Sequence, residues 1–242
     1  MRQFGLIGKN LSHSFSQDYF TKKWKNTGII DCQYQLLEIE SISDFIALKS
    51  QLPAFQGFNV TIPYKIQIIP YLDMLTQVAK DIQAVNCIKF WQGKWIGHNT
   101  DGEAFLQSLI HYIPENFEEK ALILGSGGAS LAVQWALKQV NIPFDIASSS
   151  GNGIYYADLD RIWDSKWKLI INCSPVGMFP QLHKTPKIPY QRIDKTFYLY
   201  DLIYNPEKTL FLNLGMDKGS NIKNGLEMLK LQAENSWFFW ND

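Results

Sequence analysis

The run Ala121-Leu122-Ile123-Leu124-Gly125-Ser126-Gly127-Gly128-Ala129-Ser130 decides the fold class of this chain. Four consecutive apolar residues before the glycines are typical of a strand buried on both faces of a parallel sheet. After the glycines, apolar residues recur at helical spacing over residues 131–140. Gly125 permits a tight turn, Gly127 lets the backbone approach a pyrophosphate, and the N-terminus of the helix attracts negative charge. This order of strand, glycine turn and helix predicts a dinucleotide-binding site.

The chain beyond about residue 100 continues to alternate strand and helix signals. Apolar runs at 144–147, 169–172 and 198–202 predict three more strands, and helical spacing predicts helices at 159–163 and 224–240. Strands that alternate with helices predict an α/β fold with a parallel, Rossmann-like sheet.

The first hundred residues carry a different pattern. Residues 3–8 and 34–39 predict strands, residues 42–52 and 71–83 predict helices, and residues 84–97 predict a hairpin around Gln92-Gly93. The change of pattern at about residue 100 predicts a domain boundary there.

The composition indicates a globular protein without a strongly charged partner. Of 242 residues, 46% are hydrophobic and 19% are charged, and 23 basic residues balance 23 acidic ones. A net charge of zero argues against nucleic acid or an anionic membrane as the main partner. Three scattered cysteines predict neither a disulfide framework nor a zinc site, so we expect no bound metal. The N-terminus enters a strand directly and no apolar run approaches about 18 residues, so we expect a soluble, cytoplasmic protein.

The stretch Asn59-Val60-Thr61-Ile62-Pro63-Tyr64-Lys65 predicts a lysine that is held by a stiff turn. A strand-like apolar run leads into it, and Pro63 removes a backbone donor and keeps Ile62 extended. A lysine that is held in this way can serve as a general acid or stabilise developing negative charge. The alternative is a strand that ends in a solvated lysine, which is the commoner case for an isolated lysine.

Three further polar stretches have both a structural and a binding interpretation. Ser12, Ser14 and Ser16 would face one way in extended backbone beside a helix N-terminus, where their hydroxyls suit a small carboxylate. Ser16 as a helix N-cap is the alternative. Asn86 interrupts an apolar strand, so its amide needs partners, either structural or from a ligand. Asp101, or the threonine before it, caps the next helix in the simplest interpretation.

Side by side, these stretches resemble shikimate dehydrogenase, and the resemblance runs nearly from end to end. It rests on six segments in the order of that family and is closest to its shorter form. Each segment alone is a weak signal, whereas all six at these intervals are highly specific. The segments are Ser12-His13-Ser14-Phe15-Ser16, 59–65, Ala84-Val85-Asn86, Asn99-Thr100-Asp101, 125–130, and Asn224-Gly225-Leu226-Glu227-Met228-Leu229 with Gln232.

The resemblance implies a fold, domain boundaries and a reaction. An N-terminal α/β domain at 1–100, joined by returning helices at about 218–242, would bind shikimate and hold the catalytic residues. Residues 101–217 would form an NAD(P)-binding, Rossmann-like domain. The implied oxidoreductase reaction is the reversible reduction of 3-dehydroshikimate to shikimate, usually with NADPH, in aromatic amino acid (chorismate) biosynthesis. The implied partners are therefore small molecules.

The resemblance also implies roles for individual residues. Lys65 and Asp101 match the family's catalytic pair, in which an ammonium stabilises and protonates the oxygen that receives negative charge. The positions that match residues around the substrate are Ser14 and Ser16 at its carboxylate, Thr61, Asn86 and Gln232 at its ring hydroxyls, and Tyr204 nearby. The positions that match the cofactor site are Gly125, Ser126, Gly127, Gly128, Ala129, Ser149, Gly225 and Met228.

One position departs from the family's pattern. NADP-using members commonly have an arginine after the second strand of the cofactor domain, where this chain has Ser149 in the run Ala147-Ser148-Ser149-Ser150. No arginine occurs between Arg2 and Arg161. Asp145 lies too early in its strand for an NAD-selecting acid, so we expect it to be structural. We expect NADP as the cofactor with weakened discrimination, and NAD as the alternative.

Two other functions stay open at this point. A quinate/shikimate dehydrogenase with NAD or dual cofactor use is favoured by Ser149. A non-catalytic sensor of a metabolite or nucleotide could use the same fold, since fold alone does not determine function. Retention of both Lys65 and Asp101 counts against a sensor. The oligomeric state is open between monomer and homodimer.

Overall fold

The chain forms two compact units. The computed structural model describes residues 1–11, 14–49 and 55–242, so Ser12 and the end of the helix predicted at 42–52 lie outside the described residues. One unit consists of Met1–Thr100 together with Gln232–Asp242, and the other of Asp101–Leu231.

The first unit is built on a mixed sheet. Strands β1 (Arg2–Gly8) and β3 (Phe55–Val60) are parallel and end at the same edge of the sheet. Strand β5 (Cys87–Trp91), antiparallel to β3, begins at that edge, and β6 (Lys94–His98), antiparallel to β5, ends there, because Asn59 pairs with Cys87 and Cys87 with His98. The segments after Val60, before Cys87 and after His98 therefore meet at this edge. In the described part of the chain the strand order is β2-β1-β3-β5-β6-β4, with β1 (Arg2–Gly8), β2 (Cys32–Glu38), β3 (Phe55–Val60), β4 (Met74–Leu75), β5 (Cys87–Trp91) and β6 (Lys94–His98).

The helices of this unit follow the sequence signals in part. They are α1 (Phe15–Thr27), α2 (Ile42–Lys49) and α3 (Gln77–Ile82). The prediction of a helix at 71–83 is wrong for its first half, because residues 74–75 form strand β4, which pairs with β6. Helix α3 begins only after Thr76, whose hydroxyl accepts a hydrogen bond from the Ala79 N–H. The predicted hairpin forms as β5 and β6, with both turn residues, Gln92 and Gly93, at positive φ.

The second unit contains a parallel sheet of the predicted class. Its described strands are ordered β12-β11-β10-β7-β8-β9, and every pairing is parallel. Counted from β7, this is the order 3-2-1-4-5-6 of doubly wound dinucleotide-binding folds, which bind ligands at the carboxyl ends of the strands where the order reverses. The strands are β7 (Lys120–Leu124), β8 (Phe144–Ser148), β9 (Ile154–Tyr155), β10 (Trp167–Asn172), β11 (Tyr198–Asp201) and β12 (Asn221–Lys223).

Four helices accompany this sheet in the described chain: α4 (Thr100–Ile110), α5 (Gly128–Gln139), α6 (Leu210–Asp217) and α7 (Leu226–Asn241). The helix predicted at 159–163 is absent from its place, where the chain makes a short 3₁₀ turn at Tyr156–Asp158 and then buries Leu159. Apolar β7 residues alternate between two cores, with Leu122 on one face of the sheet and Ile123 on the other.

The return to the first unit comes later than the expected residue 218. Strand β12 pairs with β11, so residues 218–231 belong to the second unit. Helix α7 begins in the second unit and enters the first at Gln232. No helix among the described residues is long and apolar enough to cross a membrane.

Candidate active site

The backbone of the first unit holds the turn that carries Lys65. The Thr61 N–H donates to the Ile7 carbonyl at 2.9 Å, and the Val85 N–H donates to the Lys65 carbonyl at 2.7 Å. Between them, the Tyr64 side chain is buried. Lys65 itself is half-buried. The turn is therefore anchored on both sides of the lysine, as its proline-containing sequence predicts.

The carboxamide of Asn86 is held at the same sheet edge by Thr100. The Thr100 N–H donates to Asn86 Oδ1 at 2.7 Å, and Asn86 Nδ2 donates to Thr100 Oγ1 at 2.9 Å. A backbone N–H can only donate, so Oδ1 must be the acceptor and the orientation of the amide is defined. Among the described residues, the second hydrogen on Nδ2 has no partner. Asn86 thus has structural partners and keeps one N–H for a ligand.

The start of α4 differs from the predicted cap. Thr100 and Asp101 are not caps, because the helix already begins at Thr100 and the threonine hydroxyl bonds to Asn86. Asp101 is buried in the first turn, where a negative charge is favoured by the helix dipole. Lys65 belongs to the first unit and Asp101 to the second.

The serines beside α1 are arranged differently from the extended row that we expected. Helix α1 begins at Phe15, and Ser14 is its N-cap, accepting from the Gln17 N–H at 3.4 Å. Ser16 is therefore not the cap and lies buried in the first helical turn. The Ser14 oxygen accepts while its proton is still available, so capping is compatible with donation to a carboxylate.

Two further candidate substrate residues lie in the first unit. Thr61 is half-buried and follows β3 directly. Gln232 is buried on α7 with only 8% of its surface exposed. Its carboxamide has no hydrogen-bond partner within the described part of the chain, which leaves it able to bind a polar ligand.

The glycine turn of the second unit fits the pyrophosphate of a dinucleotide. Gly125 has a φ of 112°, a conformation that side chains rarely adopt. Gly127 is the N-cap of α5, and as a glycine it makes no side-chain capping bond to the helix. A Cβ at Gly127 would meet nothing within 4 Å. The N-terminus of α5 thus adjoins open space at Gly127, as anion binding requires.

A group of serine hydroxyls joins this turn to the end of β8. Ser126 Oγ lies 3.0 Å from Ser150 Oγ, which lies 3.3 Å from Ser148 Oγ. Ser149 is exposed beside them. Residues 139–160 contain no lysine or arginine. Where the fold places the adenosine ribose, the run Ser148-Ser149-Ser150 offers hydroxyls and neither a cation nor an acid.

Asp145 is structural, as we expected. Its Oδ2 accepts from Trp167 Nε1 at 2.8 Å and lies 2.6 Å from Lys120 Nζ. Its carboxylate is thereby committed to neighbours within the sheet.

Gly225 and Met228 have structural roles in the second unit. The Gly225 N–H donates to the Ile203 carbonyl at 3.1 Å, and a Cβ at Gly225 would lie 2.1 Å from the Leu202 carbonyl oxygen. Met228 packs into one of the two cores of the sheet. Tyr204 is half-buried, and burial raises the pKa of its hydroxyl.

A buried carboxylate at the carboxyl end of β11 was missed by the sequence analysis. Asp201 Oδ1 accepts from Asn172 Nδ2 and from the Ile203 N–H, both at 3.0 Å, and Oδ2 accepts from Thr209 Oγ1 at 2.5 Å. Burial raises the pKa of Asp201 to about 6. The sequence did contain a signal for it, because Asn172 and Asp201 are polar residues at or near the ends of two predicted parallel strands. Parallel sheets bind ligands at the edge where their strands end.

No group of three or more His, Cys, Asp or Glu side chains that could hold a metal ion occurs among the residues that were described.

Comparison with known proteins identifies one family over nearly the whole chain. The family model for the shikimate dehydrogenase substrate binding domain matches residues 6–88. The NADP(+) shikimate dehydrogenase of Methanococcus aeolicus is 35% identical over 255 residues, which cover 98% of this chain and 90% of that protein.

Solved structures give the same result. Shikimate 5-dehydrogenase from Thermus thermophilus, crystallised with NADP(H) and shikimate, is 26% identical with a TM-score of 0.87, and the match covers 99% of this chain and 93% of that one. Shikimate dehydrogenase 1 from Peptoclostridium difficile is 33% identical with a TM-score of 0.85, covering 100% and 92%. With sequence and fold matched over almost its full length, the chain belongs to the shikimate dehydrogenase family.

Proposed function

We infer that this chain is an NADP-dependent shikimate dehydrogenase, which reversibly reduces 3-dehydroshikimate to shikimate in aromatic amino acid biosynthesis. The observation that carries this inference is the 35% identity, over 98% of the chain, to a relative named for that activity. The anchored Lys65 turn and the open glycine turn support it. The relatives favour this function over quinate oxidation with NAD.

We propose that the first unit binds shikimate and the second binds the cofactor. The substrate-domain model matches residues 6–88, which belong to the first unit. The strand order and glycine turn of the second unit are those of a dinucleotide-binding fold.

Lys65 is the proposed proton donor. NADPH, when bound, supplies the hydride. As negative charge develops on the ketone oxygen, Lys65 Nζ stabilises it and gives it a proton, and in the reverse direction Lys65 takes the proton from the hydroxyl. Asp101 is the proposed second member of this catalytic pair.

The proposed substrate contacts are all hydrogen-bonding side chains. Ser14 and Ser16 donate to the carboxylate of shikimate. Asn86 donates its remaining N–H to a ring hydroxyl oxygen, because its Oδ1 is already occupied by Thr100. Thr61, Gln232 and Tyr204 complete this set.

The proposed cofactor contacts begin at the glycine turn. Backbone N–H groups at Gly125, Ser126, Gly127, Gly128 and Ala129 bind the pyrophosphate, Ser149 lies at the adenosine ribose, and Gly225 and Met228 lie beside the nicotinamide. Gly225 also has a purely structural reason to be glycine, which a stability measurement separates from cofactor binding.

We place the reaction in the cytoplasm, with the protein as a monomer or homodimer. The three cysteines are free, as is usual in a reducing compartment. Gel filtration with light scattering distinguishes the two oligomeric states.

The test is the absorbance of reduced nicotinamide when the purified protein receives shikimate or quinate together with NADP⁺ or NAD⁺. We expect the fastest reduction with shikimate and NADP⁺. Efficient turnover of quinate with NAD⁺ alone would favour the alternative enzyme, and no reduction in any combination would favour a sensor.

A further inference from the structure

A buried set of hydrogen bonds in the first unit converges on Ser236. This serine lies on α7 with none of its surface exposed, and its hydroxyl donates to the Gln232 carbonyl at 2.8 Å. Its oxygen accepts from Asn59 Nδ2 at 2.8 Å and lies 3.2 Å from Thr100 Oγ1. One hydrogen bond thus links Ser236 to Thr100, the residue that holds the Asn86 carboxamide.

The available protons define the direction of these bonds. The single proton of Ser236 goes to a carbonyl, which can only accept. Thr100 Oγ1 accepts from Asn86 Nδ2, so its own proton is directed to Ser236. The other acceptor in reach, Asn86 Oδ1 at 3.3 Å, already receives the Thr100 N–H at 2.7 Å. Donation therefore runs from Asn86 through Thr100 to Ser236.

A second branch reaches Ser236 from β2 and β3. The Tyr34 hydroxyl donates to Asn59 Oδ1 at 2.9 Å, which directs Asn59 Nδ2 toward Ser236 and, at 3.3 Å, the Asn86 carbonyl. Burial raises the pKa of Tyr34, so it stays a donor at neutral pH. Both the backbone and the side chain of Asn86 are thereby held.

We propose that Ser236 is a positioning residue for substrate binding. It keeps the Thr100 hydroxyl turned toward α7, so that Asn86 Nδ2 has an acceptor and offers its other hydrogen to a ring hydroxyl of shikimate. Without the serine hydroxyl, the Thr100 proton turns to Asn86 Oδ1 and the bond from Asn86 Nδ2 to Thr100 Oγ1 is weakened. The Thr100 N–H still sets the orientation of the carboxamide, but the carboxamide is held less firmly in its position. This role rests on the proposed function, because it acts through Asn86 as a substrate contact.

The test compares Ser236→Ala with the wild type. We expect the KM and the calorimetric Kd for shikimate to rise about fivefold, the effect of losing one neutral hydrogen bond, while kcat and the KM for NADP⁺ change less than twofold. In an Asn86→Ala background, Ser236→Ala should have no further effect on shikimate binding, because the residue through which it acts is gone.

The matched control is Ser220→Ala. The Ser220 hydroxyl also donates to a backbone carbonyl, that of Asp194 at 2.8 Å, but lies in the second unit. Its loss should leave the KM for shikimate unchanged.

Two results would overturn the proposal: wild-type affinity in Ser236→Ala, or an equal rise in KM with and without Asn86. If Ser236→Ala does not fold, the isosteric Thr100→Val removes the link to Ser236 together with the acceptor of Asn86 Nδ2, and Thr100→Ser, which keeps both, should restore affinity. Equal affinity in these two variants would also overturn the proposal. Failure of the wild type to bind shikimate would instead refute the proposed function.

Discussion

At the scale of single residues, Lys65 owes its candidate role to its backbone. The Lys65 carbonyl receives the Val85 N–H, and the buried Tyr64 side chain precedes it. The Lys65 side chain therefore starts from a fixed backbone position. Because of this, it loses less conformational entropy when its ammonium group reaches the reacting oxygen.

Lys65→Ala should lower kcat roughly 10²–10⁴-fold if the lysine is the acid–base group, with a much smaller loss of shikimate affinity. Asp101→Asn should also slow turnover, and the double variant should be less than additive because the two residues act as a unit. Steady-state kinetics checks this, with the surface variant Lys80→Ala as a control. Near-normal turnover in Lys65→Ala would exclude the mechanism, and fully additive losses would mean that the two residues act independently.

Ser149 carries the prediction on cofactor choice. An arginine there would bind a 2′-phosphate with charge-assisted hydrogen bonds, each worth about 1.5–3 kcal/mol, or roughly ten- to a hundredfold in affinity. Ser149→Arg should therefore lower the KM for NADP more than tenfold and leave that for NAD nearly unchanged, and the wild type should use NAD detectably.

The measurement is the KM and Kd of both cofactors at one salt concentration, with the uncharged Ser149→Gln as the control. Strong rejection of NAD by the wild type, together with no gain from the arginine, would mean that another group holds the phosphate.

At the scale of elements, Gly225 and Gly127 are glycine for different reasons: close packing at Gly225, and space for a ligand at Gly127. The chain before α7 approaches β11 so closely that a Cβ at Gly225 would lie 2.1 Å from the Leu202 oxygen, whereas a Cβ at Gly127 meets open space. Gly225→Ala should therefore lower the free energy of unfolding by about 1–3 kcal/mol. Gly127→Ala should lower the free energy of unfolding by no more than about 1 kcal/mol, the cost of alanine at an N-cap. It should weaken NADP binding, because its methyl group occupies the space for the pyrophosphate.

Urea denaturation and cofactor titration of both variants check this pair. Unchanged stability in Gly225→Ala, accompanied by weaker NADP binding, would show that the cofactor rather than packing requires this glycine.

Asp201 also acts at this scale, because it ties together the ends of three elements. Through Asn172 and Thr209 it connects the carboxyl ends of β10 and β11 to the start of α6. These hydrogen bonds use both oxygens of the carboxylate, and none of their donors is a cation. Burial therefore dominates, and the pKa rises from 3.8 to about 6.

At the scale of the whole molecule, this pKa predicts a pH dependence of stability. Because the folded pKa exceeds the unfolded one, the native state binds more protons between these values. The contribution of Asp201 to stability is therefore present below about pH 4 and is lost as the pH rises through about 6. Asp201→Asn removes the free-energy cost of burying an ionised carboxylate. It should therefore stabilise the protein by on the order of 2–3 kcal/mol at pH 7.5 and by less than about 1 kcal/mol at pH 4.5.

Urea unfolding of the wild type and Asp201→Asn at both pH values, followed by tryptophan fluorescence, checks this prediction. A difference in stability that does not change with pH would contradict it. The wild type and Asp201→Asn share the opposite pH trend of hydrogen-bonded carboxylates such as Asp164 and Asp194, whose pKa values are lowered, so comparing the two proteins cancels that trend.

The sequence predicted the elements whose signal is local. The strand–glycine turn–helix unit at β7 and α5, and the hairpin at Gln92-Gly93, formed where expected because backbone conformation and burial there depend on adjacent residues. Two of the errors fall where pairing with a distant strand decides the outcome. Residues 74–75 have a partner in β6 and residues 221–223 one in β11, and neither pairing leaves a trace in the spacing of apolar residues.

The sequence by itself determined the α/β class, the parallel sheet after residue 100, the family, and the candidate positions from Ser14 to Gln232. It did so because glycine turns, apolar periodicity and motif spacing are properties of neighbouring residues. Only the tertiary structure decided which partner each polar group has: Thr100 for Asn86, Ser236 for Thr100, Asn172 for Asp201. These pairs are 14, 136 and 29 residues apart, and buried polar groups take whichever partner the folded chain brings within hydrogen-bonding distance.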